Sequence, residues 1–316
     1  MTEKVVIGID TSNYTTSIAV MTVEGELLAN VKKLLPVKEG ECGLRQSDAV
    51  FAHIKNIPLV LEEAKPYLSS RTVCALGVSS RPRNVEGSYM PCFLTGVALA
   101  EGMALTNNVP LYKFSHQCGH IMSALYSSGK EELLGESFAA FHVSGGTTEL
   151  LKVRGTDDGF IAELVGGTKD LNAGQVIDRI GVHIGMPFPA GSHLEKEANL
   201  FTGKIKKAKV SVDGTYTNLS GLENMALRVY KETDDKSATA AFVFDFIGNS
   251  LLKMCDNYIA TYGGTKFVFA GGVMCNSIIK NKLSSKLEAY FAEPQMSSDN
   301  AVGIAALALK KYLRNK

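Results

Sequence analysis

The sequence predicts an α/β protein made of two similar halves with a cleft between them. Three observations carry that prediction. Short apolar runs rich in β-branched residues alternate with stretches of helical spacing. A turn followed by Thr-Thr and an apolar strand occurs twice, as SNYTTSIAV at 12–20 and SGGTTELLKV at 144–153, about 132 positions apart. Each copy follows a strand, leads a meander and is followed by helical sequence, one copy in each half of the chain.

In order, strands are expected at 5–10, 16–21 and 25–31, with Glu24-Gly25 as a hairpin turn. Residues 47–68 carry apolar positions at helical spacing, and Pro58 is expected to kink or divide that helix. A strand at 73–79, a helix at 93–105 and a strand at 111–114 lead to a helix at 115–125, with Ser115 as its N-cap. The second half opens with strands at 138–143, 148–153 and 160–165, then helices at 172–185 and 193–201. A long helix is expected at 239–262, a strand at 266–269, a helix at 276–285 and a terminal helix at 299–312, with Ser298 or Asp299 near its N-cap.

Composition narrows the function classes. Hydrophobic residues make up 45% of the 316 residues and charged residues 21%, as in a globular chain. The net charge of +1 gives the whole molecule no strong pull toward nucleic acid or acidic membrane. The basic runs at 204–209 and 310–316 are compatible with RNA contact and equally with a solvated face. Six scattered cysteines lack a C-x-x-C pair, so reduced thiols are expected. The N-terminus has no leader pattern, and the apolar runs noted are shorter than a bilayer span. A cytoplasmic location with no membrane partner is therefore expected.

Several turns are suited to holding phosphate. The 10–13 turn, with Asp10 and Ser12, and the 144–147 turn, with Ser144, Gly145 and Gly146, each sit between two strands. Gly271-Gly272 lies between a strand and a helix, and Gly166-Gly167-Thr168 also precedes a helix. Such a set fits a nucleotide gripped from both halves. Asp10 ends the first strand, and a carboxylate facing phosphate usually works through a divalent cation. The competing reading is an Asx turn to the amide of Ser12 or Asn13. His116 and His120 are four apart on one helix face, a common way to present two imidazoles to a metal. Gln117 replaces the glutamate of an H-E-x-x-H metalloprotease, so proteolysis is a poor reading. Asp299 is the candidate third ligand, completing a two-histidine, one-carboxylate set with open positions.

From 5 to about 308 the chain resembles the tRNA adenosine threonylcarbamoyltransferases, a family formerly called O-sialoglycoprotein endopeptidases. The matching runs, in family order, are IGIDTSNYTTSIAV (7–20), SHQCGHIMSAL (115–125) and HVSGGTTELLKV (142–153). They continue with DLNAGQVIDRIGVHIGMPFPAGSHLEKEA (170–198), TNLSGLENMA (217–226), FVFAGGVMCNSIIKNKL (267–283) and SSDNAVGIAALAL (297–309). The resemblance implies a duplicated actin-like ATPase fold, shared with sugar kinases, Hsp70 and actin. Its expected lobes are 1–114 and 115–297, with 298–316 returning as a terminal helix.

The resemblance also implies roles. His116, His120 and Asp299 match the metal ligands. His142, Val143, Ser144, Gly145 and Gly146 match the ligand-binding turn, and Asp178, Gly191, Glu195 and Asn276 match further adenylate contacts. The implied ligands are one divalent metal, iron or zinc, with magnesium if a nucleotide is bound, and ATP, ADP or threonylcarbamoyl-AMP. The implied partners are tRNA and a protein subunit of a tRNA-modification complex. Four departures bear on activity. Tyr14-Thr15 replace an Asp-Glu pair, Thr147 replaces a histidine, Ser80-Arg81-Pro82-Arg83 replace a glycine-rich segment, and Glu223 replaces a lysine. No catalytic residue is assigned beyond the candidate Asp10. The rival expectations are a non-catalytic nucleotide- and metal-binding partner, and an actin-like kinase or carbamoyltransferase acting on a small molecule.

Overall fold

A computed structural model describes residues 2–12, 14–36, 44–156 and 159–316. Asn13 of the first turn and Cys42 lie outside the described residues. The strands are β1 (Lys4–Asp10), β2 (Thr15–Thr22), β3 (Leu27–Leu34), β4 (Thr72–Arg81), β5 (Leu111–Ser115), β6 (Ser137–Val143), β7 (Thr148–Thr156), β8 (Gly159–Thr168), β9 (Ser211–Asp213), β10 (Tyr216–Asn218), β11 (Lys266–Ala270) and β12 (Glu288–Phe291). The helices are α1 (Gln46–Ala64), α2 (Phe93–Asn107), α3 (His116–Ser127), α4 (Ala173–His183), α5 (Gly191–Leu200), α6 (Ser220–Thr233), α7 (Lys236–Tyr262), α8 (Ser277–Ser284), α9 (Pro294–Ser297) and α10 (Val302–Arg314).

The chain divides into two compact units. Unit 1 comprises Met1–Leu134, Thr156–Phe160 and Gln295–Lys316, and unit 2 comprises Gly135–Gly155 and Ile161–Pro294. The expected boundary at 114 put the histidine helix in the second lobe. Contacts put it in unit 1, because α3 packs on α10, β4 and β5.

In unit 1 the sheet order is β3-β2-β1-β4-β5. The β1–β2 and β2–β3 pairs are antiparallel, and the β1–β4 and β4–β5 pairs are parallel. β1 is buried from Val5 to Asp10, which is why it reads as an unbroken apolar run rather than an alternation. One side of the sheet is covered by α10, whose small residues allow close packing: a Cβ on Gly8 would sit 2.4 Å from the Ala301 carbonyl oxygen. α1 runs without interruption past Pro58, against the expected break. The ring lies on the exposed side of the helix, where water can hydrate the carbonyl that loses its donor.

In unit 2 the order is β12-β11-β6-β7-β8-β10-β9. Its first five strands repeat the unit 1 pattern read from the other edge. β6 pairs antiparallel with β7 and parallel with β11, and β11 pairs parallel with β12. The duplication seen in the sequence is thus a duplication of topology. α7 is the candidate membrane-length apolar helix among the described residues, but most of it is packed inside the core, around Phe244, Ile247, Leu251 and Met254.

Two expectations change in unit 2. Gly166 and Gly167 belong to β8 rather than to a turn before a helix, and Gly167 pairs with Tyr216. The glycine at 166 is what admits β10, since a Cβ there would meet the Thr215 carbonyl oxygen at 2.3 Å. α6 was not expected at all, and it lacks a cap from its own N-cap residue, Leu219. Asp170 supplies the cap from a remote loop. It accepts the Leu219 amide at 2.7 Å, the Ser220 amide at 3.1 Å and the Ser220 hydroxyl at 2.6 Å.

That cap makes stability depend on acid. Burial pushes the Asp170 carboxyl up, but the hydrogen bonds from Ser220, Leu219 and Leu171 outweigh it and hold the group at about 2. An unfolded aspartate sits near 3.8, so the contribution is complete above about pH 4 and is lost as the pH falls toward 2. Asp170 is exposed, so solvent screening reduces the contribution. Asp170→Ala is expected to lower unfolding stability by about 1 kcal/mol at pH 7. In urea titrations the gap to the wild type should shrink between pH 4 and 3. A gap that stays constant with pH would contradict the capping role.

Candidate metal centre and anion-binding turns

The metal candidates lie at one edge of the unit 1 sheet. β5 ends at Ser115, whose hydroxyl accepts the Cys118 amide at 3.3 Å and starts α3 there, one residue before His116. The helical repeat then sets His120 edge-on to His116, with ring centroids 4.4 Å apart. Asp299 arrives from the other end of the chain, three residues before α10. His116 Nε2 lies 3.0 Å from His120 Nε2 and 3.4 Å from Asp299 Oδ1, and His120 Nε2 lies 3.2 Å from the same oxygen. Ligand bonds of about 2.1 Å around one ion give edges of roughly 3.0–3.4 Å, from octahedral to tetrahedral. The three atoms therefore have the spacing of one face of a coordination sphere. Two imidazoles and a carboxylate suit iron or zinc better than magnesium.

Asp10 is not part of that face. It is 1% exposed and stands behind His116, with Oδ2 at 2.9 Å from Nδ1. It also accepts the Ser79 hydroxyl at 2.9 Å and the Ser12 amide at 2.7 Å. The Ser12 bond is the Asx turn that competed with the metal reading. Both readings meet in one carboxylate, which turns His116 so that Nε2 faces His120 and Asp299. Such a carboxylate–histidine arrangement fixes the tautomer and orientation of a metal-ligating imidazole.

The electrostatics of the group are tightly linked. Burial pulls the His116 imidazole down, but the charges and hydrogen bonds of Asp10 and Asp299 overcome this and raise it to about 10. Burial would raise Asp10, and the His116 charge, with hydrogen bonds from His116 and Ser12, holds it below the usual carboxylate range. Asp299 is held down in the same way by His116 and His120 despite its burial. His120 is pushed down, first by burial and then by the charge on His116.

Three positioning groups escaped the sequence reading. Asn300 is 3% exposed. Its Oδ1 accepts the Val302 amide and the Ser123 hydroxyl, both at 3.0 Å, and its Nδ2 donates to the carbonyls of Met296 and Ser298. Asn300, rather than Ser298 or Asp299, is thus the side chain that caps α10, which leaves the Asp299 carboxylate for the histidines. The Lys32 ammonium donates to the Gln295 carbonyl at 2.7 Å and the Ser298 hydroxyl at 3.2 Å, holding the same loop from β3. The third is Ser79, which anchors Asp10.

The remaining candidates lie in unit 2 and are joined by backbone contacts. His142 and Val143 end β6, and the Ser144 amide donates to the Thr147 carbonyl to close the hairpin. Space is open where a Cβ on Gly145 or Gly146 would point. The start of α4 is tied to this turn, with the Gly174 amide on the Ser144 carbonyl and the Ala173 amide on the Thr148 hydroxyl. Gly271 has φ +98°, and its backbone lies so close to Val143 that a Cβ would be 2.3 Å from the Val143 carbonyl oxygen. Gly272 begins a short 3-10 turn, Gly272–Cys275, between β11 and α8.

Asn276 then caps α8 by accepting the Ile279 amide at 2.9 Å, and its buried Nδ2 has no hydrogen-bond partner. A buried, unsatisfied amide donor is costly and is met by a ligand or water in most folded proteins. Asp178 accepts the Ala190 amide at 2.7 Å, beside Gly191 at the start of α5; burial raises its carboxyl, opposed by the amides of Ala190 and Gly191. Glu195 accepts the Ser277 amide at 2.7 Å, so its carboxylate sits at the start of α8. Among the departures, Tyr14 is 42% exposed, Thr15 is buried in β2, and Glu223 pairs with Arg179 at 3.0 Å.

Residues 38–306 match the family model TsaD: tRNA N6-adenosine threonylcarbamoyltransferase. A tRNA N6-adenosine threonylcarbamoyltransferase of Streptococcus suis (strain 05ZYH33) is 27% identical over 328 residues, covering 99% of this chain and 94% of its own. The Methanopyrus kandleri enzyme of that name is 26% identical over 306 residues, covering 95% and 85%. Among solved structures, HypF of T.kodakarensis covers 99% of this chain and 48% of its own, with TM-score 0.60 and 12% identity. Component A of the (R)-2-hydroxyglutaryl-CoA dehydratase of Acidaminococcus fermentans covers 98% and 99%, with TM-score 0.56 and 16% identity. At those identities the structural likeness carries the fold alone, which is the duplicated actin-like ATPase fold. By the span of the match and the order of its motifs, the chain belongs to the tRNA N6-adenosine threonylcarbamoyltransferase family.

Proposed function

We propose that the protein binds an adenylate and one divalent metal, and transfers a threonylcarbamoyl group to an adenosine of tRNA. The observation that carries this reading is the convergence of His116 Nε2, His120 Nε2 and Asp299 Oδ1 at the edges of one coordination face, with Asp10 orienting His116. His116, His120 and Asp299, with Asp10 orienting His116, would hold iron or zinc, which when bound acts as a Lewis acid toward a carbonyl. The glycine backbone of the 144–147 turn, with open space beside Gly145 and Gly146, would receive phosphate, and the buried Nδ2 of Asn276 would donate to the nucleotide. Asp10 is an orienting group here rather than a base, because its two oxygens are already taken by Ser12, Ser79 and His116. Among the described cysteines, Cys74, Cys118, Cys255 and Cys275 are free thiols, in accord with a reducing, cytoplasmic setting.

A second reading has its own support. Tyr14, Thr15 and Thr147 stand where the resemblance expects acid, acid and histidine, which favours a nucleotide-binding partner without catalysis. The two part in one assay. Purified protein is incubated with threonylcarbamoyl-AMP and unmodified tRNA, alone and with candidate partner subunits, and modified adenosine is measured. Modified adenosine is the expected result. Tight adenylate binding without turnover in any combination would sink the transferase reading and favour the partner.

A further inference from the structure

We propose that Arg81 anchors a phosphate-binding site at the same sheet edge of unit 1 as the histidine–aspartate triad. Strands β1, β4 and β5 are parallel, so their carboxyl ends lie together. β1 ends at Asp10, β4 at Arg81, and β5 at Ser115, which is paired with Arg81 and directly precedes His116. The carboxyl ends of parallel strands are where open α/β sheets take ligands.

The guanidinium is held in place without being neutralised. Its two terminal nitrogens donate to Ser80 Oγ at 3.0 Å and to Asn84 Oδ1 at 2.8 Å, both uncharged acceptors. Those acceptors are themselves tied down. Ser80 Oγ donates to the Phe114 carbonyl at 3.2 Å, and Asn84 Nδ2 to Cys118 Sγ on α3 at 3.2 Å. The Gln117 amide donates to the Pro82 carbonyl at 3.1 Å, fixing the loop to the first turn of α3. Among the described residues, no carboxylate lies within ion-pair distance of Arg81. A half-buried arginine fixed by neutral partners keeps its charge and most of its donors for an anion, and its planar fork fits phosphate. The arrangement costs two ordered side chains, Ser80 and Asn84, that a solvated surface arginine would not need.

The ligand chemistry is a phosphate group, from a nucleoside monophosphate or from an RNA backbone; only this choice of ligands rests on the function proposed above. Equilibrium binding of inorganic phosphate, AMP and unmodified tRNA is measured for the wild type, Arg81→Gln and Arg81→Lys. The expected result is that Arg81→Gln weakens at least one probe about tenfold, the loss of one charge-assisted contact. Arg81→Lys should fall between, keeping charge without the fork. A loss confined to tRNA, with a shallower salt dependence, assigns the RNA backbone. A loss for AMP or inorganic phosphate assigns the small ligand. Metal content and melting temperature, read alongside, should not change. Unaltered binding of all three probes in Arg81→Gln would overturn the site, as would a wild type that binds none of them. A protein that lacks metal or makes no modified adenosine would instead count against the function proposed above, and the phosphate result stands apart from it.

Discussion

His116→Ala is expected to abolish stoichiometric metal binding, and Asp10→Asn to weaken it by a smaller, graded amount. His116 would supply one of three protein ligands, and the two that remain, His120 and Asp299, cannot enclose an ion from one side. Asp10 acts one step further out. Without its charge, the partner at 2.9 Å from His116 Nδ1 holds the imidazole and its tautomer less firmly, and changes to such outer partners typically weaken metal binding about 10–100-fold. Folding must be separated from binding. His116 is also the charge that balances the buried Asp10 and the partly buried Asp299. Its removal in the metal-free protein leaves two carboxylates facing each other, a loss on the order of 3–5 kcal/mol. Metal analysis should therefore be made on the folded fraction, with His120→Ala beside it, because His120 carries less of that charge balance. Loss of metal in both histidine variants and partial loss in Asp10→Asn is the expected order. Metal retained at wild-type level in folded His116→Ala protein would remove the triad as the site.

How much of this was legible in the sequence follows from the range of the interactions. β1 announces itself because it is buried on both faces and so reads as an apolar run, and β2 does so through its apolar half, Ile18 to Met21. The duplication was readable because the two hairpin turns need similar residues. α6 was missed although Ser220 and Glu223 have the spacing of a capping box; its first turn is capped instead by Asp170, about fifty residues away. β9, β10 and β12 are three or four residues long and offer no periodicity to count. In the candidate site the histidine pair was visible through its i,i+4 spacing, a local property. The second role of Asp10 was not, because an Asx turn is local but the bond to His116 spans 106 positions. Ser79 and Lys32 were invisible for the same reason, as each acts through remote partners, and so was the bond from Ser123 that ties the Asn300 cap to α3.

That remoteness puts the weight of the site on one helix crossing, and Gly303 is where it can be broken. A Cβ on Gly303 would lie 1.9 Å from the Gly119 carbonyl oxygen and 2.7 Å from the Ser123 amide nitrogen, both backbone atoms of α3. No rotamer relieves such a contact, so α3 and α10 must move apart by about 1 Å or more. The separation would stretch the Gly303 amide to Ser123 hydroxyl bond, 2.9 Å, and through it the Ser123–Asn300 bond that fixes the Asp299 loop. Gly303→Ala is therefore expected to cost about 3 kcal/mol, at the upper end for overpacking, and to lower the melting temperature by several degrees. Gly102, on the exposed side of α2, has nothing within 4 Å of its Cβ position. Gly102→Ala should stabilise by about 0.5–1 kcal/mol, since alanine is the better helix former. Bound metal separates a site effect from a general one. Gly303→Ala should lose metal at temperatures where it is still folded, because Asp299 has shifted from two imidazoles that stay in place. If Gly303→Ala melts early but keeps its metal, the crossing supports the fold of unit 1 without setting the geometry of the triad.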